Sequence, residues 1–434
     1  MTNKVIIVGG GLAGSEACYQ LAKRGVNVEL YEMKPVKYSP AHHNPNFAEL
    51  VCSNSLKSDQ PTTSSGLLKK ELQLFDSLII KTAYECRVPA GGALAVDREK
   101  FAQQITDTIK SFDNVKIINE ELIDIPTDVP VIIATGPLTS DNLTKSLSKL
   151  LGEEYLYFFD ASSPIVTFDS IDKDRSFVQD RYDKGDGDYI NCPMNEQEYL
   201  AFYNELINAK SVELKDFENK KVFEGCMPVE VMAKRGVDTL RFGPLKPVGL
   251  RNPDGSKPYA VVQLRKEDAV GSLYNLVGFQ TNLLYPEQKR VFSMIPALHK
   301  ANFVRYGVMH RNSFINAPKL LDNTFQLKNH PNIYIAGQLS GVEGYIESTA
   351  SGLISAINVY LKLNSKSPLN LSPNTMIGAI INYITNASAS SFQPMNSNYG
   401  IINSLDQKVK DDKLKKQMIF DRSVEEISQV IKNI

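Results

Sequence analysis

The chain has 434 residues, a formal net charge of −1 and 22% charged residues. Its length is too great for one small core and implies two or three domains, and its balanced charge excludes any global pull toward nucleic acid, so RNA could be bound only through a local patch. No apolar run reaches the roughly 18 residues of a membrane-spanning helix, and Met1-Thr2-Asn3-Lys4 leads straight into a strand with no room for a signal peptide, so the expected location is cytoplasmic, with no membrane partner.

Val5-Ile6-Ile7-Val8 is a β-branched run and predicts a strand. Gly9-Gly10-Gly11-Leu12-Ala13-Gly14 follows, then a helix over 15–24 with Ala17, Cys18, Leu21 and Ala22 on one face. Gly25 ends that helix, and 26–31 reads as a second strand with Glu32 at its end. This is G-x-G-x-x-G in a strand-turn-helix-strand unit. Gly9 permits the tight turn, Gly11 lets backbone approach a pyrophosphate, and Gly14 lets helix and strand pack closely. The helix N-terminus offers unpaired N–H groups to the phosphates, and Glu32 can accept from ribose hydroxyls. The motif predicts a bound dinucleotide and by itself leaves FAD and NAD(P) open.

Residues 33–47 are turn-rich, with Pro35, Pro40 and Pro45. Next, Cys52-Ser53-Asn54-Ser55 sets small polar residues beside a thiol. Ser53 and Asn54 either touch a ligand or merely turn the chain. A helix is predicted near 67–74. The glycine-bearing segment 88–96 precedes Asp97, an N-cap for a helix with Phe101, Ile105 and Ile109 on one face. Strands follow at 115–119 and 129–135, the second running out through Ala134-Thr135-Gly136. That exit is common where flavoproteins leave the nucleotide domain, and otherwise is an ordinary turn.

Residues 138–328 change character and read as an inserted mixed α and β domain. From 221 to 251, Lys221, Lys234, Arg235, Arg241, Lys246 and Arg251 face three carboxylates, Glu224, Glu230 and Asp238, with Cys226 among them. Arg265 and Lys289-Arg290 extend the supply. This is either a phosphate-binding face or a solvated charged surface. The nucleotide fold returns over 329–405, where a strand over 332–338 ends at Gly337-Gln338. A loop then holds Gly341 and Gly344, and a helix over 350–361 begins with the small residues Ala350, Ser351 and Gly352. These would let a cofactor sit against the helix end. The polar loop 391–396 follows. Residues 406–434 form a charged helical tail, in which Ser423 and Glu426 read as a capping box. The domain reading is thus 1–137, 138–328, 329–405 and the tail: an α/β, Rossmann-like nucleotide-binding domain in two pieces around an insertion.

Cysteines stand at 18, 52, 86, 192 and 226, odd in number, far apart and without a C-x-x-C pair. That argues against disulfides or structural zinc, and the five histidines form no ligand motif, so no metal is expected.

Several of these stretches together resemble the FAD- and folate-dependent RNA uracil-5-methyltransferases, the TrmFO family. They are ELVCSNSL at 49–56, VPAGGALAVDRE at 88–99, FEGCMPVEVMAKRG at 223–236, LRFGPLKPVGL at 240–250 and IAGQLSGVEGYIESTASG at 335–352. GidA, a related but much longer flavoprotein, shares part of the pattern. The resemblance covers nearly the whole chain and implies FAD as cofactor, methylenetetrahydrofolate as carbon donor, NAD(P)H as reductant and RNA as substrate. Uracil carbon 5 becomes nucleophilic when a thiolate adds at carbon 6. The resemblance assigns that role to Cys226, and to Cys52 either protection of the one-carbon unit or proton removal at carbon 5; the two roles are interchangeable. It places Gly9, Gly10, Gly11, Leu12, Ala13, Gly14, Glu32, Ser53, Asn54, Ala134, Thr135, Gly136, Gly337, Gln338, Tyr345, Ile346, Glu347 and Ser348 around the cofactor, with Tyr345 stacked near flavin or pterin or else packed in its loop. Lys234, Arg235, Arg241 and Lys246 would meet the RNA. The T-loop uridine of tRNA is the expected target, since both cysteines are present, and a ribosomal RNA uridine is the alternative. A small-molecule flavin oxidoreductase and a non-catalytic RNA-binding flavoprotein are the further alternatives.

Overall fold

A computed structural model describes residues 4–152, 156–161, 163–183, 187–212, 227–268, 270–307, 309–390, 392–432 and 434. Its central sheet has six strands in the order Gln326–Leu327, His330–Ile335, Val131–Ile133, Lys4–Val8, Asn27–Tyr31, Val115–Ile118. Lys4–Val8 runs parallel to both its neighbours, with Ile6 opposite Glu29 on one side and Val131 on the other. Helices cover both faces of such a sheet, which is why Val5, Ile7, Val131, Ile132 and Ile133 are all fully buried rather than alternating in and out.

The first helix is Leu12–Ala22, beginning three residues earlier than its apolar pattern suggested because the glycine turn is itself its first turn. It crosses the long helix Tyr345–Leu363 so tightly that a Cβ on Gly352 would lie 2.1 Å from the Ala13 carbonyl oxygen. The small residues Ala350, Ser351 and Gly352 were expected to make room for a cofactor. Gly352 instead makes room for this crossing, and the Ser351 hydroxyl accepts the Gly337 N–H at 2.7 Å. Asp97 caps Arg98–Lys110 as expected, accepting from the Lys100 N–H, and Phe101, Ile105 and Ile109 are buried.

The chain leaves the nucleotide domain along Leu156–Ala161 and returns along Met309–Phe314, and these two crossings pair with each other antiparallel. Between them stands a second six-stranded antiparallel sheet, Phe177–Val178, Tyr189–Met194, Ala260–Lys266, Leu273–Leu276, Ile165–Thr167 and Phe303–Arg305. It has its own core, with Tyr199, Phe202 and Leu206 of the helix Glu196–Asn208 packed on it. A three-stranded sheet, Ser55–Ser58, Ala93–Val96 and Arg87–Val88, carries the loop that holds Cys52.

The tail departs from its expected form. One helix, Asp412–Ile431, runs through Ser423, and its N-cap is Asp411, which accepts the Leu414 N–H at 2.8 Å. Ser423 is buried and donates to Glu71 on the helix Ser64–Leu74. The same carboxylate accepts the N–H groups of Met376 and Ile377 at 2.6 and 2.8 Å, so it ties three segments together. Among the described residues no helix is long and apolar enough to cross a membrane.

Candidate active site

A cavity of about 440 Å³ opens along the edge of the parallel sheet between the glycine turn and the Cys52 loop. Its first end is shaped by three glycines with three different surroundings. Gly9 has φ +98°, and a Cβ there would lie 2.7 Å from the Ala134 carbonyl oxygen. A Cβ on Gly14 would lie 1.8 Å from the Gly9 carbonyl oxygen. A Cβ on Gly11 would meet nothing within 4 Å, because Gly11 faces the cavity. Leu12 and Ala13 also line it, and the first N–H groups of their helix have no acceptor within the helix.

The buried Glu32 carboxylate accepts the Gly10 N–H at 2.7 Å and the Lys34 N–H at 2.9 Å, and its residue lines the same wall. Ala134, Thr135 and Gly136 flank it, with the Thr135 hydroxyl 2.6 Å from that of Thr139. Gly337, Gln338, Tyr345, Ile346 and Ser348 close the far side. A turn whose middle glycine is open while its neighbours are packed shut, at a helix N-terminus, fits a dinucleotide pyrophosphate.

The second end is built from long side chains. The Tyr345 hydroxyl accepts the N–H groups of Cys52 at 2.9 Å and Ser53 at 3.1 Å, and burial pushes its phenol above the usual tyrosine range. Arg305 donates to the Val51 carbonyl at 2.6 Å, and Arg98 to that of Leu50 at 2.7 Å. Arg98 is also ion-paired with the buried Glu267 at 2.5 Å. Burial, then the charge of Arg98, holds Arg305 below the usual arginine range, while Cys52 acts on it in the opposite sense.

Arg265, expected on either a phosphate-binding face or a solvated charged surface, is buried. It donates to the Ser53 hydroxyl at 2.7 Å and to the Asn54 side-chain oxygen at 3.1 Å. The Asn54 amide is spent inside the protein, donating to the Val96 and Lys266 carbonyls. Ser53 lines the cavity and Asn54 does not. Glu347 is fully buried behind the wall, accepting from the Ser397 N–H and hydroxyl and from Lys57, which lines the cavity in its place. Lys57 sits at φ +65° in a backbone region that side chains rarely adopt.

Sequence reasoning passed over Lys57, Arg98, Arg305, Gln280, Asn312 and Asn396. Asn396 had a signal in its polar loop, Arg98 lies within the VPAGGALAVDRE stretch, and Lys57 directly follows the ELVCSNSL stretch.

Of the described cysteines only Cys52 lines the cavity. Cys18, Cys86 and Cys192 are buried away from it, and burial pushes the Cys18 thiol up to about 12 and the other two upward as well. Cys226 and Lys221 lie outside the described residues. Three residues beyond Cys226, the Val229 N–H donates at 2.7 Å to the carbonyl of Gln280, which lines the cavity. Glu230 fixes this junction, accepting from Thr281 Oγ1 and the Asn282 N–H at 2.8 Å each. Lys234 and Arg235 are exposed just beyond it, and Lys246 is half-buried. The Arg241 guanidinium lies 3.6 Å from the Tyr259 ring centroid and pairs with Asp238 at 2.6 Å, so its charge is already engaged. Among the described residues no cluster of three or more His, Cys, Asp or Glu could hold a metal ion.

A family model described as Glucose inhibited division protein A matches residues 4–367. A protein of Acetivibrio thermocellus is 57% identical over 95% of this chain and 94% of its own length, and one of Fusobacterium nucleatum is 56% identical over the full length of both. Both carry the name methylenetetrahydrofolate–tRNA-(uracil-5-)-methyltransferase TrmFO. Among solved structures, Aquifex aeolicus GidA superposes with a TM-score of 0.68 at 15% identity, covering 99% of this chain and 75% of that one, a likeness of fold.

Proposed function

The chain belongs to the TrmFO family, and from that premise we propose that it methylates carbon 5 of a tRNA uridine, with methylenetetrahydrofolate as carbon donor and FAD as cofactor. The observation that carries this reading is the cavity itself, in which a turn suited to a dinucleotide stands at one end and the part-exposed thiol of Cys52 at the other. Neither the ribosomal RNA reading nor the small-molecule one draws support from the relatives.

Gly9–Gly14, Glu32, Ala134–Gly136 and Gly337–Ser348 would hold the FAD. When bound, FAD supplies the redox chemistry that completes the methyl group, with NAD(P)H as electron source. The protein's own residues do the rest. The Cys226 thiolate adds to uracil carbon 6, which makes carbon 5 a nucleophile. Cys52, held by Tyr345, Arg98 and Arg305, takes the proton from carbon 5 or shields the one-carbon unit from water. Lys234, Arg235 and Lys246 contact the RNA backbone, and the methylated base is the T-loop uridine.

The test is direct. Purified protein receives methylenetetrahydrofolate labelled in its methylene carbon, NADPH and a tRNA transcript. Label should appear at carbon 5 of one T-loop uridine and vanish in Cys226→Ala and Cys52→Ala. NADPH consumption without labelled RNA would sink the proposal in favour of a small-molecule oxidoreductase.

A further inference from the structure

Phe242 is 84% exposed, the most exposed aromatic side chain among the described residues. It ends the short helix Thr239–Phe242, and its exposure is not that of a loose loop. Leu240 and Leu245 on either side are fully buried, and the Leu245 N–H donates to the Leu240 carbonyl at 2.8 Å. The loop that follows is tied to the central strand of the inserted domain, with the Val261 N–H donating to the Leu245 carbonyl at 3.1 Å. Arg181 donates to the carbonyls of Lys246 and Val248 from beneath. At the far end of the loop Tyr182, 56% exposed, packs on Gly249, and its N–H donates to the Gly249 carbonyl at 3.0 Å. An anchored loop therefore carries Lys246 and is flanked by two exposed aromatic rings.

The surrounding charge is positive. Lys234, Arg235 and Arg251 are exposed near it in sequence. Of the nearby carboxylates, Asp238 is paired with Arg241, Glu230 is buried, and the exposed Asp254 accepts from the Ser256 N–H and hydroxyl. The loop is also close to the cavity. Pro244 packs so near Gly278 that a Cβ there would come within 2.6 Å of the Pro244 Cβ, and Gln280, two residues on, lines the cavity. By chain reach, Phe242 lies no more than about 20 Å from Gln280.

An exposed ring on an anchored loop, near cations, matches the way proteins grip unpaired nucleotides, with stacking on the ring and phosphates on the cations. We propose that Phe242 is a stacking platform for an unpaired base of the substrate RNA, outside the reaction site. This rests on the reading of tRNA as substrate. Aromatic faces accept any base, so Phe242 adds affinity and orientation while the cations set the salt dependence.

The experiment measures tRNA binding to the flavin-loaded protein by fluorescence anisotropy across a salt series, for wild type, Phe242→Ala, Phe242→Trp, Phe242→Leu and Lys246→Ala. Phe242→Ala and Phe242→Leu should weaken binding roughly 10-fold with the salt slope unchanged. Phe242→Trp should restore it, and Lys246→Ala should lower the slope. The flavin absorbance spectrum and the sedimentation coefficient should stay as in wild type. Wild-type affinity in Phe242→Ala would overturn the inference and leave the methyltransferase reading standing, as would a Phe242→Leu variant that binds as well as wild type. A changed sedimentation coefficient would instead make Phe242 a contact between protein copies. Failure of the wild type to bind tRNA would overturn both readings.

Discussion

At its dinucleotide end the cavity is shaped by side chains that are missing, whereas at the Cys52 end it is held by long polar side chains arriving from distant parts of the chain. Gly9, Gly11 and Gly14 lie within six residues and do their work by letting backbone approach backbone or ligand. Arg98 and Glu267 are 169 residues apart, Arg305 and Val51 254 apart, and Tyr345 and Cys52 293 apart. The first design is local and depends on shape. The second is long-range and depends on buried polar groups finding partners far away in the sequence. They should fail differently when broken.

The largest combined effect, on fold and on bound flavin together, belongs to Gly14→Ala. Its methyl would sit 1.8 Å from a carbonyl oxygen, which no rotamer can relieve, so helix and strand must move apart. We expect loss of at least about 3 kcal/mol, at the upper end for overpacked cores, together with loss of bound flavin. Thermal melting of flavin-stripped protein checks the first part and absorbance near the flavin bands the second. A flavin-stripped variant as stable as wild type would show that shape does not govern this end.

Arg98→Met tests the other end. It leaves the Glu267 side chain, 3% exposed, buried without its ion-pair partner while still accepting from the Asn275 amide. Breaking one half of a buried pair costs about 3–5 kcal/mol, mostly through the charge left behind. Adding Glu267→Gln removes that charge and should recover much of the loss in urea denaturation. If the double variant is no more stable than Arg98→Met, the cost lies in the Leu50 contact instead.

Sequence legibility follows the same division. The glycine turn, the parallel strands and the Asp97 cap were readable because each depends on neighbours within a few residues. Helix starts were less so, and Tyr345–Leu363 begins before its predicted start, its first residue packing on the core while its hydroxyl reaches the Cys52 N–H. Arg265 counted as one more surface cation, since nothing near it in sequence announces that Ser53 and Asn54 await it. Ser423 and Glu426 have the spacing of a capping box, yet Ser423 is claimed by Glu71, 352 residues away.

Glu71 extends the polar strategy to the tail, and its signature is pH dependence. Burial raises its carboxyl to about 7, against an ordinary glutamate value near 4.5. A raised folded value means the folded state holds the proton more tightly. The resulting stabilisation is complete below about pH 4.5 and is lost as pH rises through 7. The change amounts to at most about 3 kcal/mol. Glu71→Gln keeps one acceptor oxygen and removes the titration. Chemical denaturation across pH 4.5–7.5 should show a falling trend in wild type that is flattened in Glu71→Gln, and equal slopes would remove Glu71 from the account.

Gly11→Ala should have the smallest effect on the fold and is the sharpest test of the contrast. Gly11 has φ −72° and ψ −169°, an extended conformation that alanine adopts freely, and the added methyl meets nothing within 4 Å. The only structural cost is that of alanine for glycine at a helix N-cap, about 0.5–1 kcal/mol. Flavin-stripped Gly11→Ala should therefore melt within about 2 °C of wild type. Flavin affinity should nevertheless fall by roughly ten-fold or more, because the methyl occupies the approach that a pyrophosphate needs. Gly11 and Gly14 are three residues apart in one motif, so a variant pair that loses flavin equally but differs by several degrees in flavin-free melting separates packing from binding. If Gly11→Ala instead destabilises the flavin-free protein as Gly14→Ala does, the open space beside Gly11 belongs to the fold and not to the ligand.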